Sequence, residues 1–301
     1  MSFQSIRENL VSDLPGSVDV KSSHWKFHTS SFNVSSDFRM SGINGFSNRT
    51  RRFPGSSKLH KRNLIRLFPW AKKTIRSPKF DTAFNICHLQ NREIDTCVAR
   101  HVFTFDLLEE FVNIDKSRTC VIGDGQSNFV SLAITNNFAE KLISVNLTEV
   151  LMSDLELIEE LPQITSEEIA VARHKEDVKE FLNNPQQKLL LVSAQNATAL
   201  LGSEINLFVN MASFQEMTPN LVSEYFKIIA SNEAFLYCCN RLEKKLYGGE
   251  VNRFLDFPWG NAEIILDESC PWHQEFYTLR SLALYKKLKF DGEIWHRLVK
   301  F

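Results

Sequence analysis

Strand-like and helix-like patterns alternate from about residue 119 to the end of the chain. The runs Thr119–Ile122, Lys141–Val145, Lys188–Val192, Ile205–Val209 and Glu233–Cys239 are apolar on both faces, as strands buried in a parallel sheet are. A helix-like stretch follows the first run, from about Ser127 to Asn136. After the second comes "TEVLMSDLELIEEL", with Leu151, Leu155, Ile158 and Leu161 at helical spacing. An acidic helix is expected over about Ser166–Leu182, ended by Asn-Asn-Pro. Thr218-Pro219 supplies a cap and a first helical position for "NLVSEYFKIIAS". Strand-like "AEIIL" lies at 262–266, a helix is expected near Ser281–Lys289, and a last strand near Ile294–Phe301. Strands alternating with helices predict an α/β fold, a Rossmann-like parallel sheet with helices on both faces.

The first part of the chain is different. Residues 1–48 are polar and Ser-rich without a sustained period, and residues 49–79 hold eleven Lys and Arg and no acid. We therefore divide the chain into an irregular, polar then basic extension over 1–79 and a domain over 80–301. The 43% apolar share is enough for a core, and the net charge of −1 does not suit the whole chain to nucleic acid or membrane. No apolar run approaches the roughly 20 residues of a membrane span, and the N-terminus lacks a charged-then-apolar signal pattern. None of the six cysteines forms a C-x-x-C pair, which disfavours a zinc ribbon or a secreted disulfide framework. A reduced, cytoplasmic chain is expected.

The chemistry gathers at "CVIGDGQSNFVSLA", residues 120–133. Gly123 and Gly125 stand where the first strand turns into a helix, and the carboxyl end of that strand is where an open α/β sheet places its ligand crevice. The third glycine of a dinucleotide fingerprint is replaced by Asn128, and Asp124 between the glycines would repel two phosphates. A cationic ligand without phosphates suits the loop better, and S-adenosylmethionine carries an ammonium and a sulfonium. Asn146, 21 residues past Gly125, stands where an acid usually binds ribose, so an aspartate there should bind ribose more strongly; Glu149 is the nearest acid.

These segments, with "ISVNLTEVL", "LFVNMASFQEM" and "EAFLYCCNRLEKKLYGGEVNRF", resemble the sugar O-methyltransferase branch of the S-adenosylmethionine-dependent class I methyltransferases. The resemblance covers about residues 85–275, and its most specific parts are "NMASFQEM" at 210–217 and "CNR" at 239–241. The chain departs from the pattern at Asn146 and in its basic N-terminus. The resemblance implies a seven-stranded sheet with an antiparallel last strand, and S-adenosylmethionine as cofactor. It implies that Gly123, Asp124, Gly125 and Gln126 pass under the methionine moiety, that Asn146 meets the ribose, that Ser193 and Gln195 flank the adenine, and that Asn210 faces the sulfonium.

A sugar hydroxyl is a poor nucleophile and needs a base. Glu216, the one ionisable side chain in "NMASFQEM", is the candidate, with capping of the Thr218 helix or pairing with Arg241 as its structural alternatives. His273 in "CPWHQEF" is the second candidate base. Ser213, Gln215, Asn240 and Arg241 are the candidate acceptor-binding residues. The missing Asn-Pro-Pro stretch after the fourth strand disfavours methylation of a planar nitrogen. No metal site is evident: His24-x-x-x-His28 and Cys87-His88 read as ordinary residues.

The expected acceptor is thus a sugar or glycan hydroxyl. The basic run, with Phe53, Phe68, Trp70 and Phe80 interleaved, is the one feature of a nucleic-acid binder, which makes an RNA methyltransferase the alternative; a non-catalytic interaction protein is another. Docking of the basic segment on the acidic helices at 149–180 is favoured over nucleic acid, and contact with an anionic membrane is a third role.

Overall fold

The computed structural model describes residues 2–17, 20–43, 56–92, 96–113, 117–281, 284–289 and 292–301. Phe53 and the arginines at 49, 51 and 52 lie outside the described residues.

Eight strands form one sheet: β1 (Arg118–Ile122), β2 (Lys141–Asn146), β3 (Ile169–Ala172), β4 (Leu189–Ser193), β5 (Leu207–Met211), β6 (Phe235–Arg241), β7 (Glu263–Ser269) and β8 (Ile294–Lys300). Their spatial order is β7-β8-β6-β5-β1-β2-β4-β3. Every pair from β6 to β3 is parallel, and β8 is antiparallel to both neighbours. This is a Rossmann-like sheet with a reversed last strand. Ile122 pairs with Val145 on one side and Asn210 on the other, so the carboxyl ends of β2, β1 and β5 are level. The chain order reverses between β1 and β5, which opens the crevice typical of such sheets.

Two of the expected helices are corrected. Within Ser166–Leu182 only the part from Lys175 is α-helical; Ile169–Ala172 is strand β3, at the sheet's edge beside β4. The four residues "IAVA" are too short to show a period, and their flanking acids read as helix. The stretch near Ser281–Lys289 is a strand, Leu284–Lys289, in a hairpin with Glu275–Ser281. The ladder with Phe276, Tyr277 and Thr278, residue types that favour strands, overrides the local helical pattern.

The helices are α1 (Phe3–Val11), α2 (Ser23–His28), α3 (Ser56–Leu67), α4 (Pro78–Leu89), α5 (Thr96–Phe111), α6 (Asn128–Asn136), α7 (Thr148–Ile158), α8 (Lys175–Asn183) and α9 (Pro219–Ser231), with a short helical turn at Leu14–Ser17. Thr218 caps α9 as its sequence predicts, accepting from the Leu221 N–H. Val130, Leu132 and Leu155 pack on one side of the sheet, and Val222, Phe226 and Ile229 on the other.

The N-terminal segment is ordered, contrary to its aperiodic sequence. Ser2 caps α1, and Ile6 and Leu10 on one face are fully buried against α7 and the β3 edge. Burying two such side chains stabilises the docked segment by roughly 3–6 kcal/mol as an upper figure. Arg7 pairs with Glu159, and Arg173 reaches back to Asp13 at 2.6 Å.

The basic segment docks on a different surface from the one expected. Lys61 pairs with Asp81, and Lys79 with Asp106 and Glu109. Phe68 packs on Phe103, with ring centroids 5.5 Å apart. Its seat is therefore α4 and α5, not the acidic helices at 149–180. The described part holds the inward cations in ion pairs and turns Arg62, Arg66, Lys72, Lys73 and Arg76 to solvent.

Candidate functional site

A cavity of about 360 Å³ lies at the carboxyl ends of β1, β2 and β5. Its floor is Val121 to Gly125, its sides are Asn128, Phe129, Asn146, Val150 and Val209, and Met211, Ala212, Ser213 and Glu216 border it beyond β5. Cys97, Arg100 and His101 of α5 close one flank with His273. His24, Trp25 and His28 of α2 close the top.

The glycine loop is built by packing as much as by any ligand. Gly123 has φ +73°, and a Cβ there would lie 2.2 Å from Ser213 Oγ. The space that a glycine frees is thus taken by Ser213, whose hydroxyl donates to the Ile122 carbonyl at 3.0 Å. Gln126 and Ser127 follow with φ 63° and 50°, an unusual left-handed pair. Asn128, in place of the third glycine, donates to the Gly125 carbonyl and accepts from Arg92 at 2.6 Å.

Asp124 caps the helix that follows. Its carboxylate accepts from the N–H groups of Phe129 (3.0 Å) and Val130 (2.7 Å). Burial pushes its pKa up to about 6, against the pull of those amides and of Arg92. Asp124 borders the cavity, but its oxygens are spoken for; Gln126 is not part of the wall.

At the ribose position, Asn146 accepts from the Leu147 N–H and turns its amide towards Asp154, 3.5 Å away. Burial and the Asp124 charge hold Asp154 well above the usual carboxylate range. A carboxylate at 146 would add a third buried acid beside these two.

The adenine edge is covered. Asp13 accepts from Ser193 Oγ at 2.9 Å, and its carbonyl accepts from Gln195 Nε2 at 2.7 Å. Gly16 stands over the Gln195 side chain, and Lys21 pairs with Glu149. Gln195 Oε1 is buried without a hydrogen-bond partner, an acceptor suited to an exocyclic amine. Ser193 and Gln195 are therefore in register with the cavity, through the Asn146–Ser193 pair, yet do not line it and meet Asp13 and Gly16 instead. The donor set fits the methionine and ribose parts of S-adenosylmethionine along Gly123 to Asn146.

Beyond β5 the expected residues part company. Asn210 is fully buried and donates to Ser213 Oγ (2.6 Å) and the Ile122 carbonyl (3.1 Å), while its oxygen accepts from the Phe214 N–H and Asn240 Nδ2 (2.8 Å). Asn240 accepts from the Gln215 N–H, and Gln215 Oε1 accepts from the Arg241 N–H. Asn210, Gln215 and Asn240 form an internal amide network outside the cavity wall. The structure shows them holding the loops after β5 and β6 in place, not lining the cavity at which cofactor and acceptor are expected. Arg241 also stands outside the wall. Ser213 borders the cavity with its hydroxyl engaged.

Glu216 faces the cavity. Burial pushes it up to about 7, against Lys244, Arg241 and a bond with Gln215. Since Thr218 caps α9, Glu216 is not the cap; its Oε2 lies 3.5 Å from His24 Nε2. His273 also faces the cavity, 3.5 Å from Cys239 Sγ, but burial, with Arg100, His101 and Arg241, drives its pKa well below the ordinary value. A histidine so depressed is a weak base.

The contributions of His24, Trp25, His28, Arg100 and His101 were not read from the sequence. The i, i+4 spacing of His24 and His28 is the one visible signal, set in a segment without other pattern. Among the described residues no group of three or more His, Cys, Asp or Glu is placed to hold a metal ion, and no helix is long and apolar enough to cross a membrane.

No protein-family model matches the chain, and no curated protein matches it in sequence. Solved structures do resemble it. Magnesium protoporphyrin IX methyltransferase from Synechocystis, with bound S-adenosylmethionine, is 9% identical; the match covers 84% of this chain and all of that one, with a TM-score of 0.39. M. capricolum TrmK in complex with S-adenosyl-homocysteine is 11% identical over 66% of this chain and 67% of that one, with a TM-score of 0.35. A Streptococcus pneumoniae protein in complex with S-adenosyl-L-methionine, whose proposed activity is tRNA (m1A22) methylation, is 11% identical over 66% of this chain and 72% of that one, with a TM-score of 0.38. Each is a likeness of the chain path, and the fold stands on the strand order given above.

Proposed function

We propose that the chain is an S-adenosylmethionine-dependent O-methyltransferase whose acceptor is a sugar or glycan hydroxyl. The observation that carries the methyl-transfer reading is the cavity itself, a glycine turn at the carboxyl end of β1 with the carboxylate of Glu216 at its far side; the sugar acceptor rests on the sequence resemblance. The cofactor would supply a methyl group on a sulfonium, an electrophile that needs positioning more than activation. Gly123 and Gly125 would wall the methionine part, Asn146 would meet the ribose, and Gln195 would accept from the adenine amine. Glu216 would take the hydroxyl proton; a carboxylate raised to about 7 is half ionised near neutrality and holds a proton better than an ordinary one. Phe129, Val150 and Trp25 would exclude water.

A nucleic acid is the second reading, favoured by a separate feature. Arg62, Arg66, Lys72, Lys73 and Arg76 are exposed and, among the described residues, have no acidic partner, in a chain whose net charge is −1. Trp70 beside them is 53% exposed, and its ring lies 6.1 Å from Trp272, the neighbour of His273 in the cavity wall. Cations for phosphates and a ring for a base are the elements of a single-strand surface.

Calorimetric titration with S-adenosylmethionine tests the shared part of both readings. Wild type should bind, and Gly125→Val should lose that binding while keeping its fold, because a branched side chain enters the cavity floor. A wild-type chain that takes up no cofactor at millimolar concentration would leave the interaction-protein reading. Methyl transfer to a polysaccharide hydroxyl or to RNA then separates the acceptors.

A further inference from the structure

We propose that His24 and Glu216 act as one proton-sharing pair at the acceptor end of the cavity, so that the N-terminal segment supplies a catalytic side chain. This rests on the methyl-transfer reading above and adds a residue to it.

The two residues are 192 positions apart, and both border the cavity. Their side chains are 14% and 23% exposed, open enough to meet a ligand and buried enough to need each other. The 3.5 Å between Nε2 and Oε2 is long for a hydrogen bond, as is common in sites without substrate.

The approach is held from several sides. Ser22 donates through its hydroxyl to the Glu216 carbonyl, tying the two backbones together. Ser22 also caps α2, accepting from the Trp25 N–H. The Gly248 N–H donates to Ser23 Oγ at 2.7 Å, and Ser23 donates to Glu250 at 2.9 Å. The His24 ring lies parallel to Tyr247, with centroids 5.7 Å apart and 3° between the planes, and His28 stands 4.4 Å away. Lys21 anchors the segment to Glu149. A segment with no functional contact would not need so many ties around one histidine.

The charged and titratable groups facing the pair are His28 on α2, and Lys244 and Arg241 at and after β6. Burial, with the charges of Lys244 and Arg241, pushes His24 down to about 4, while burial pushes Glu216 up to about 7. Between these values the pair holds a single proton, and the 3.5 Å approach puts both groups within reach of it. Above the upper step the pair is a neutral imidazole beside a carboxylate, ready to receive a proton. The bound cofactor would supply a methyl group whose bond to sulfur breaks, with both electrons left on sulfur, as the acceptor oxygen bonds the methyl carbon; the pair would take the acceptor's proton. Charge balances: the sulfonium becomes a neutral thioether and the carboxylate becomes neutral.

The test uses the full chain. Nuclear magnetic resonance of the His24 ring, with no cofactor present, should report the step near pH 7 as well as the one near pH 4. Glu216→Gln should erase the upper step from the His24 signals and leave the lower one. If the ring is blind to the upper step in wild type, the pair does not share a proton and the proposal is overturned, whatever the enzyme turns over. His24→Asn and His24→Phe should then lower turnover by roughly 10- to 100-fold with cofactor affinity kept. A folded His24 variant with full turnover would overturn the catalytic role. A wild type whose His24 reports both steps but which transfers no methyl group would sink the methyl-transfer reading and the catalytic role together.

Discussion

The two crests of the sheet that flank the cavity are built on opposite plans. On the β5–β6 side, Asn210, Ser213, Gln215 and Asn240 satisfy one another, and each bond stays within the loops after β5, β6 and β1. On the β2–β4 side, Glu149, Ser193 and Gln195 reach outwards, to Lys21, to Asp13 and to the Asp13 carbonyl. The first crest satisfies its own amides and meets the N-terminal segment only at Glu216, through Ser22 and His24; the second turns its polar groups to that segment. Polar groups that satisfy each other define a scaffold. Those satisfied by a detachable segment can exchange that partner for a ligand with the same hydrogen-bonding groups.

The strongest way to break this contrast is within the amide network. Asn240→Leu keeps the volume but leaves the Gln215 N–H, and one bond to Asn210, without partners in a fully buried place. The cost should be roughly 2–4 kcal/mol, read as a shift in the urea unfolding midpoint with an unchanged slope. A loss below about 0.5 kcal/mol would mean that the network relaxes freely and is no scaffold.

A smaller effect separates function from stability at the cavity rim. Glu216 has a folded pKa near 7, above its unfolded value, so its protonated form is the one the fold prefers. An acid raised in this way adds stability below the unfolded pKa, and that contribution is lost as pH rises through the folded one. Glu216→Gln, permanently neutral, should therefore be more stable than wild type at pH 8, by on the order of 2 kcal/mol, and equal to it near pH 4. Thermal melts at the two pH values check this. Equal melting at both would show that Glu216 is well solvated and not a strained, poised group.

The contrast also explains what the sequence revealed. The strands of the sheet are apolar on both faces, and that pattern is set by burial alone, so "CVI", "LLLV" and "NLFV" read plainly. The glycine turn and Thr218 were legible because backbone geometry restricts residue type there. Asn210, Gln215 and Asn240 were placed at the ends of their strands, but their bonds to one another were not legible; an amide that meets a ligand and one that meets another amide look alike in one dimension. His24 was unreadable for a further reason. Its role depends on Lys21, Ser22 and Ser23 finding Glu149, Glu216 and Glu250, contacts of more than a hundred residues' separation that leave no period. Edge strand β3 was missed because four residues with a half-buried face carry too little pattern.

The mildest test concerns the detachable crest. Asp13 holds Ser193 through one oxygen and Arg173 through the other, at 2.9 and 2.6 Å. Asp13→Ala removes both, yet Arg173 is partly exposed and regains water, so the loss should be only about 1 kcal/mol. That loss should fall on the segment and not on the fold. Amide exchange should quicken over residues 2–28 and stay unchanged in β1 and β5. If residues 13–21 compete with the adenine end of the cofactor, weakening their hold by about 1 kcal/mol should tighten S-adenosylmethionine binding by up to about fivefold. The variant should also turn over more slowly, since a looser segment holds His24 less often against Glu216. Exchange that quickens throughout the sheet would show the segment to be part of the cooperative core. Unchanged cofactor affinity with quickened exchange would show that the adenine lies elsewhere and that Ser193 and Gln195 are bound to Asp13 for stability alone.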